Sequence, residues 1–194
     1  LPILLPVNRL VDTCLYSTNS GEMMFFFTKL LLPIMIVVFP VASWGNSTTF
    51  EAKVVKIVDG DTITALDAQN TTIKIRMYGI DAPESKQAFG QKAKQALTTA
   101  IATKIVTVID HGTDIYGRML GTIWLDGYDI NASMVDSGYA WVYRFEDNAI
   151  VPGYIKYESA AQKEAKGLWA DTNPVPPWQW RQANEKPRKV KGKK

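Results

Sequence analysis

Cysteine and histidine are almost missing from this chain: its 194 residues hold one of each, Cys14 and His111. A disulfide framework is excluded, and so is any zinc site built on thiolates or on clustered imidazoles. Charge of one sign is also scarce, with 22 basic against 19 acidic residues and a formal net charge of +3. The apolar run from Leu30 to Val41 is too short for a comfortable membrane-spanning helix and contains Pro33 and Pro40. What remains is an ordinary globular composition, 46% hydrophobic, and a length that suits one domain.

The charge is unevenly placed. Between residues 46 and 184 there are 14 basic and 16 acidic residues, so the body is slightly acidic. Lys186, Arg188, Lys189, Lys191, Lys193 and Lys194 crowd the carboxyl end. Lysine blocks of this kind are usually disordered, and they attract polyanions through counterion release. Residues 181–194 are therefore expected to form a basic disordered tail. At the amino end, Lys29, the apolar run and the small residues Ala42-Ser43-Trp44-Gly45 form a secretory signal pattern. Residues 1–45 are expected to combine an upstream extension with a signal peptide starting at Met23 or Met24. Export to the periplasm or the medium follows from that expectation. The absence of cysteine near the cleavage region argues against a lipoprotein.

The body, residues 46–180, alternates strand and turn signals. Phe50–Ile57, Thr62–Leu66 and Thr72–Tyr78 read as three antiparallel strands, joined at Asp59-Gly60-Asp61 and at residues 67–70. Residues 87–103, rich in Ala, Lys, Gln and Leu, read as a helix. Residues 104–110 and 120–125 supply two more strands, and Asp126-Gly127 a tight hairpin turn. Residues 129–136 read as a short helix capped by Asp129, with Gly138 beyond its end. Residues 154–169 read as a longer helix with Tyr157, Ala161, Ala165 and Leu168 on one face. Pro174, Pro176 and Pro177 are expected to end regular structure. Five strands in a 3 + 2 arrangement predict an α+β fold, a five-stranded OB-type barrel with three flanking helices.

Polar residues of one chemical set punctuate this frame. Asp61 follows the first turn, and Arg76 lies on the third strand. Asp81 and Glu84 flank Ala82-Pro83, and Tyr116-Gly117-Arg118 sits at a loop apex. Each has a plain structural explanation alone: a turn residue, a helix entrance, a surface ion pair, a solvated loop. In a meander, however, the turn after strand one and the end of strand three lie at the same end of the sheet. The three carboxylates can then converge. Two or three such oxygens with a carbonyl and water suit a hard cation such as Ca2+. Arginines grip phosphate, and a spare glutamate can take a proton from water. Together these are the requirements for cutting a phosphodiester.

VDGDT, IRMYGIDAPE, DIYGR with the following strand and DG hairpin, and the late GLW occur in one order across residues 51–169. In this the chain resembles the thermonuclease family, whose prototype is staphylococcal nuclease. The continuation ADTNPVPPWQWR is similar to the ending of Gram-negative members. The resemblance implies Asp61 and Asp81 as Ca2+ ligands, joined by the carbonyl of Ala82. It implies Glu84 as general base, Arg76 and Arg118 as phosphate-binding arginines, and Tyr116 as part of the nucleotide pocket. Ala82 stands where the prototype has threonine, and the segment after Glu84 is shorter. The prototype's second pocket tyrosine has no secure counterpart near Tyr143–Arg144.

The expected substrates are single-stranded DNA, duplex DNA and RNA, cut with little base specificity by a monomer that needs no stable protein partner. Tyr78, Tyr116, Trp141 and Tyr143 are candidates for base stacking, although Trp141 and Tyr143 fit a core more readily. Three rival readings remain. Glu84-Ser85-Lys86 fits the Glu-x-Lys pattern of Mg2+-dependent restriction-type nucleases, but Pro83 opposes the strand that pattern needs. A binding module without catalysis would typically lack some of the five charged residues. A general OB-type binder of sugar or protein would not explain two arginines with three acids.

Overall fold

The computed structural model describes residues 48–184. The expected signal segment and residues 185–194 of the expected basic tail lie outside them, while residues 181–184, expected to begin that tail, end a helix. Five strands form the barrel: β1 (Thr49–Ile57), β2 (Thr62–Leu66), β3 (Thr72–Met77), β5 (Ile105–Thr113) and β6 (Met119–Leu125), with the two-residue β4 (Ile80–Asp81) following β3. The order β3-β2-β1-β5-β6 is antiparallel throughout. Parallel pairing of Ile75, Arg76 and Met77 with Met119, Leu120 and Gly121 brings β6 back onto β3 and closes the barrel. The OB-type expectation holds.

Strand alternation fills the interior with Ala52, Val54, Ile63, Ala65, Ile75, Met77, Val106, Val108 and Ile123. Register shifts between Val54 and Lys56, the mark of a bulge. The extra residue leaves Val55 exposed and returns Ile57 to the inward face. Gly121 pairs with β3 on one side and β5 on the other. A Cβ there would sit 2.8 Å from Ile75 Cγ2 and 3.0 Å from Val108 Cγ1, so closure depends on its lack of a side chain.

Four α-helices pack outside the barrel among the described residues. The first, α1 (Gly90–Ile101), buries Ala93, Leu97 and Ile101. Then Leu125 and Tyr128 (of β7, Tyr128–Asp129) flank the Asp126-Gly127 turn, whose φ values are +51° and +81°. Those angles match the expected hairpin turn. Asp129 caps α2 (Ile130–Asp136) by accepting the Ala132 N–H at 3.0 Å. From α2 the buried Asn131 donates to the carbonyls of Tyr78 (2.9 Å) and Gly121 (3.1 Å) and accepts from Ile123 N–H (3.1 Å). One amide thereby ties the barrel strands together just where β3 and β6 diverge.

Two-residue strands follow: β8 (Trp141–Val142) against β4, and β9 (Arg144–Phe145) against β10 (Asn148–Ala149). Then α3 (Ile155–Lys163) is shorter than the expected helix over 154–169. Lys166 N–H bonds the Ala161 carbonyl and Ala165 N–H bonds Gln162, a Schellman ending with Ala165 at φ +50°. Ala161 and Leu168 are buried as expected, but Ala165 is exposed. Helicity resumes only as a 3-10 turn at Gly167–Ala170. A fourth helix, α4 (Pro177–Asn184), begins where the prolines were expected to end regular structure. Proline at the first helical position loses no intrahelical bond, because that N–H has no partner in any helix.

Candidate active site

Asp61 closes the β1–β2 turn. Its N–H bonds the Asp59 side chain at 3.1 Å, and its carbonyl accepts Met77 N–H at 2.8 Å. Gly60 makes the turn possible, since a Cβ would lie 2.8 Å from both Ala82 Cβ and Ala93 Cβ. Asp61 Oδ1 accepts the Thr62 hydroxyl at 3.0 Å, and Oδ2 accepts Ala82 N–H at 2.6 Å. The first acidic turn is thus bonded to the segment carrying the second and third acids.

Tyr78-Gly79 reverses the chain after β3 into β4, where Asp81 pairs with Trp141. Gly79 has φ +78°, and its open α-carbon faces Val151. Asp81 is fully buried. Arg76, opposite Thr62 in the β2–β3 ladder, inserts between the two aspartates: Nη1 lies against Asp61 Oδ2, and Nη2 donates to Asp81 Oδ1 at 2.7 Å. Burial lowers the Arg76 pKa from its usual value, Asp81 opposes that, and the positive charge of Arg118 adds to the lowering. Guanidinium stays charged nonetheless. Its desolvation is balanced by two carboxylates in contact.

Arg118 reaches the site's edge through barrel closure, being one residue before the β3–β6 pairing. It is held by Asp114, which accepts Arg118 Nε at 2.7 Å and the backbone N–H groups of Tyr116 and Arg118 at 2.9 Å each. These bonds outweigh burial and lower the Asp114 pKa. Tyr116 is 74% exposed, with the Arg118 guanidinium 5.5 Å from its ring centre. Arg118 and Tyr116 therefore border the acids rather than touch them.

Glu84 stands on the loop between β4 and α1, not on a strand, so Glu84-Ser85-Lys86 lacks the context of the Glu-x-Lys reading. Its N–H bonds Gln87 Oε1 at 3.1 Å. A side chain at Gly90 would overlap the Glu84 carbonyl, which fixes this loop against the start of α1. Glu84 is joined to Asp81 by a residue that sequence reasoning missed. Arg181 of α4 donates to Asp81 Oδ1 (3.2 Å), Asp81 Oδ2 (2.8 Å) and Glu84 Oε1 (2.9 Å). Those bonds, chiefly the one to Asp81, raise its pKa. The only signal in the sequence was an arginine in WQWR, one turn into a helix that starts on proline.

Of the proposed stacking residues, Tyr78 lies on His111 with ring centres 4.2 Å apart. Trp141 packs edge-on against Trp169 and Trp178, in line with its core reading. Tyr143 is 38% exposed, so the core reading fails there.

Buried acids interleaved with guanidiniums at the edge of an OB-type barrel define an enzyme that opens phosphodiesters. Comparison with known proteins agrees. The model of the family described as staphylococcal nuclease homologue matches residues 74–171. An uncharacterized endonuclease of Haemophilus influenzae is 41% identical over 153 residues, covering 79% of this chain and 85% of that protein. A micrococcal nuclease of Shigella flexneri is 37% identical over 160 residues, 78% of this chain and 90% of its own length. Protein ParB of Escherichia coli is 37% identical over 166 residues, 81% and 90%. The chain belongs to the staphylococcal nuclease family; it is a nuclease, and its substrate is nucleic acid.

Proposed function

We propose that this nuclease is Ca2+-dependent and exported, and that it cuts DNA and RNA as a monomer with little sequence preference. The observation that carries the reading is Arg76 set between the buried Asp61 and Asp81, with Glu84 tied to the same group. The donor set fits Ca2+. Asp61, Asp81 and the main-chain oxygen of Ala82 are hard ligands, and Ca2+ takes about 6–8 oxygens, water included. Among the described residues no three acidic, histidine or cysteine side chains form a group that could hold a metal ion, so the expected convergence of all three carboxylates is not found; the proposed ligands are the two aspartates and one carbonyl. The missing hydroxyl at Ala82 does not affect a main-chain ligand.

Bound Ca2+ supplies Lewis-acid stabilisation of negative charge on the phosphoryl oxygens. Arg76 and Arg118 bind the same group in the plane of its oxygens, a geometry lysine does not match. Glu84, partly exposed at 35%, accepts the proton of the attacking water. The exposed Tyr116 offers an aromatic face to a base, and base stacking tolerates any sequence. Support for export is the run from Leu30 to Val41 followed by small residues.

Digestion of single-stranded DNA, duplex DNA and RNA in Ca2+, Mg2+ or EDTA tests this, with Glu84→Gln alongside. Cutting is expected in Ca2+ and not in EDTA, and the variant is expected to lose it. Cutting in Mg2+ alone, or wild-type rates from folded Glu84→Gln, would overturn it.

A further inference from the structure

The C-terminal segment is fastened to the active-site loop at several points. Gln87, which accepts Glu84 N–H through its oxygen, donates through its nitrogen to the Val175 carbonyl at 2.6 Å. Pro177 is buried, and Trp178 meets Trp141 edge-on with ring centres 5.5 Å apart. Arg181 follows one turn later, so its guanidinium is delivered by a docked helix rather than by a free end.

Its position is not that of a solvated surface pair. It grips both oxygens of a fully buried aspartate and one oxygen of Glu84. Charge gives the reason. With no metal bound, Asp61, Asp81 and Glu84 make three acids against Arg76, so the group has an excess of negative charge. A phosphate brought beside such a group is repelled, and a second guanidinium in direct contact lowers that repulsion. Among the described residues Arg181 uses three of its five N–H donors, and its side chain remains 38% exposed. Nε and one Nη2 hydrogen are left for an oxygen from solution.

We propose that Arg181 is a third phosphate-binding arginine of this nuclease, holding the substrate strand beside Glu84. The inference rests on the nuclease reading, and its test is separable from it. A fluorescent single-stranded oligothymidylate is titrated with the full protein in EDTA, at several KCl concentrations, and anisotropy is recorded. Arg181→Ala should weaken binding about tenfold and make the slope of log K against log [KCl] shallower by about 0.7, the share of one phosphate contact on a single strand. Arg181→Lys should keep the slope, since it keeps the charge. In Ca2+, the alanine variant should raise KM more than it lowers kcat. A purely structural arginine would leave the salt slope unchanged in Arg181→Ala, and that result would overturn the proposal while Ca2+-dependent cutting by the wild type stood. Failure of the wild type to cut would instead sink the nuclease mechanism, and the slope would still decide Arg181.

Discussion

Asp61 Oδ2 accepts the backbone N–H of Ala82 at 2.6 Å, a bond across 21 positions of sequence that joins the two acidic segments of the site. Asparagine can keep the oxygen that accepts Ala82 N–H, but it turns the other acceptor into an NH2 donor and removes one of the two charges that balance buried Arg76. Asp61→Asn should therefore melt below the wild type, because buried Arg76 loses one of its two carboxylates, and should cut about two or three orders of magnitude more slowly, the usual cost of one electrostatic group. Thermal melting beside a Ca2+ digestion assay checks both halves.

Arg118 donates through Nε to Asp114 Oδ2 at 2.7 Å, and its guanidinium lies 5.5 Å from the Tyr116 ring centre. Arg118→Ala should lower kcat by about two to four orders of magnitude. Lysine offers a point charge without the fork, so Arg118→Lys should recover little of that loss. Steady-state kinetics on single-stranded DNA separate these outcomes.

Asn131 satisfies three backbone groups beside the closing strands. Leucine is close in size and satisfies none. Asn131→Leu should cost about 3 kcal/mol of stability, near the upper cost of unpaired buried groups. Urea denaturation gives the value directly.

Ala165 holds the left-handed angle at the end of α3, where most helices place glycine. The strain on an L-residue is about 1–2 kcal/mol, partly offset by the extra freedom glycine has when unfolded. Ala165→Gly should raise stability by about 0.5–1 kcal/mol. A lower melting temperature would contradict the assignment of that cap.

His111 stacks on Tyr78, with Nε2 2.8 Å from Thr122 Oγ1. Burial lowers its pKa from the usual 6.5, against the pull of Asp110. The unfolded chain therefore takes up this proton first as the pH falls. The stability that neutral His111 contributes is complete above about pH 6.5 and is lost as the pH drops through the lower folded value. His111→Gln should flatten the fall of melting temperature between about pH 7 and pH 5. An unchanged profile would mean that the ring titrates alike in both states.

The barrel was legible in the sequence because its signals are local. Alternation marked the first three strands and β-branched content the fourth, and the Asp-Gly turn and the Asp129 cap each declare themselves within a few residues. Strand direction placed Asp61 and Asp81 at one end of the barrel, where both contact Arg76, but the expected convergence of Glu84 with them is not found. What escaped depends on contacts distant in sequence. Nothing near Ala165 says that α3 stops there; the backbone crossing of Gly138 and Gly167 requires it, since a side chain on either would overlap the other strand of the crossing. The prolines before Trp178 hid a helix, because proline breaks helices in their middle and begins them at their start. With that helix hidden, Arg181 had no visible route to Asp81, which precedes it by 100 positions.

The parallel pairing of β3 with β6 has a consequence for the life of the polypeptide before it is native. That pairing brings the Arg118 end of β6 beside the strand of Arg76, and the docked last helix delivers Arg181. A newly made chain already carries every reactive side chain but not their arrangement, so it lacks the site that cuts nucleic acid. The capacity to cut is acquired only with tertiary structure, so a chain held unfolded carries the residues without the activity.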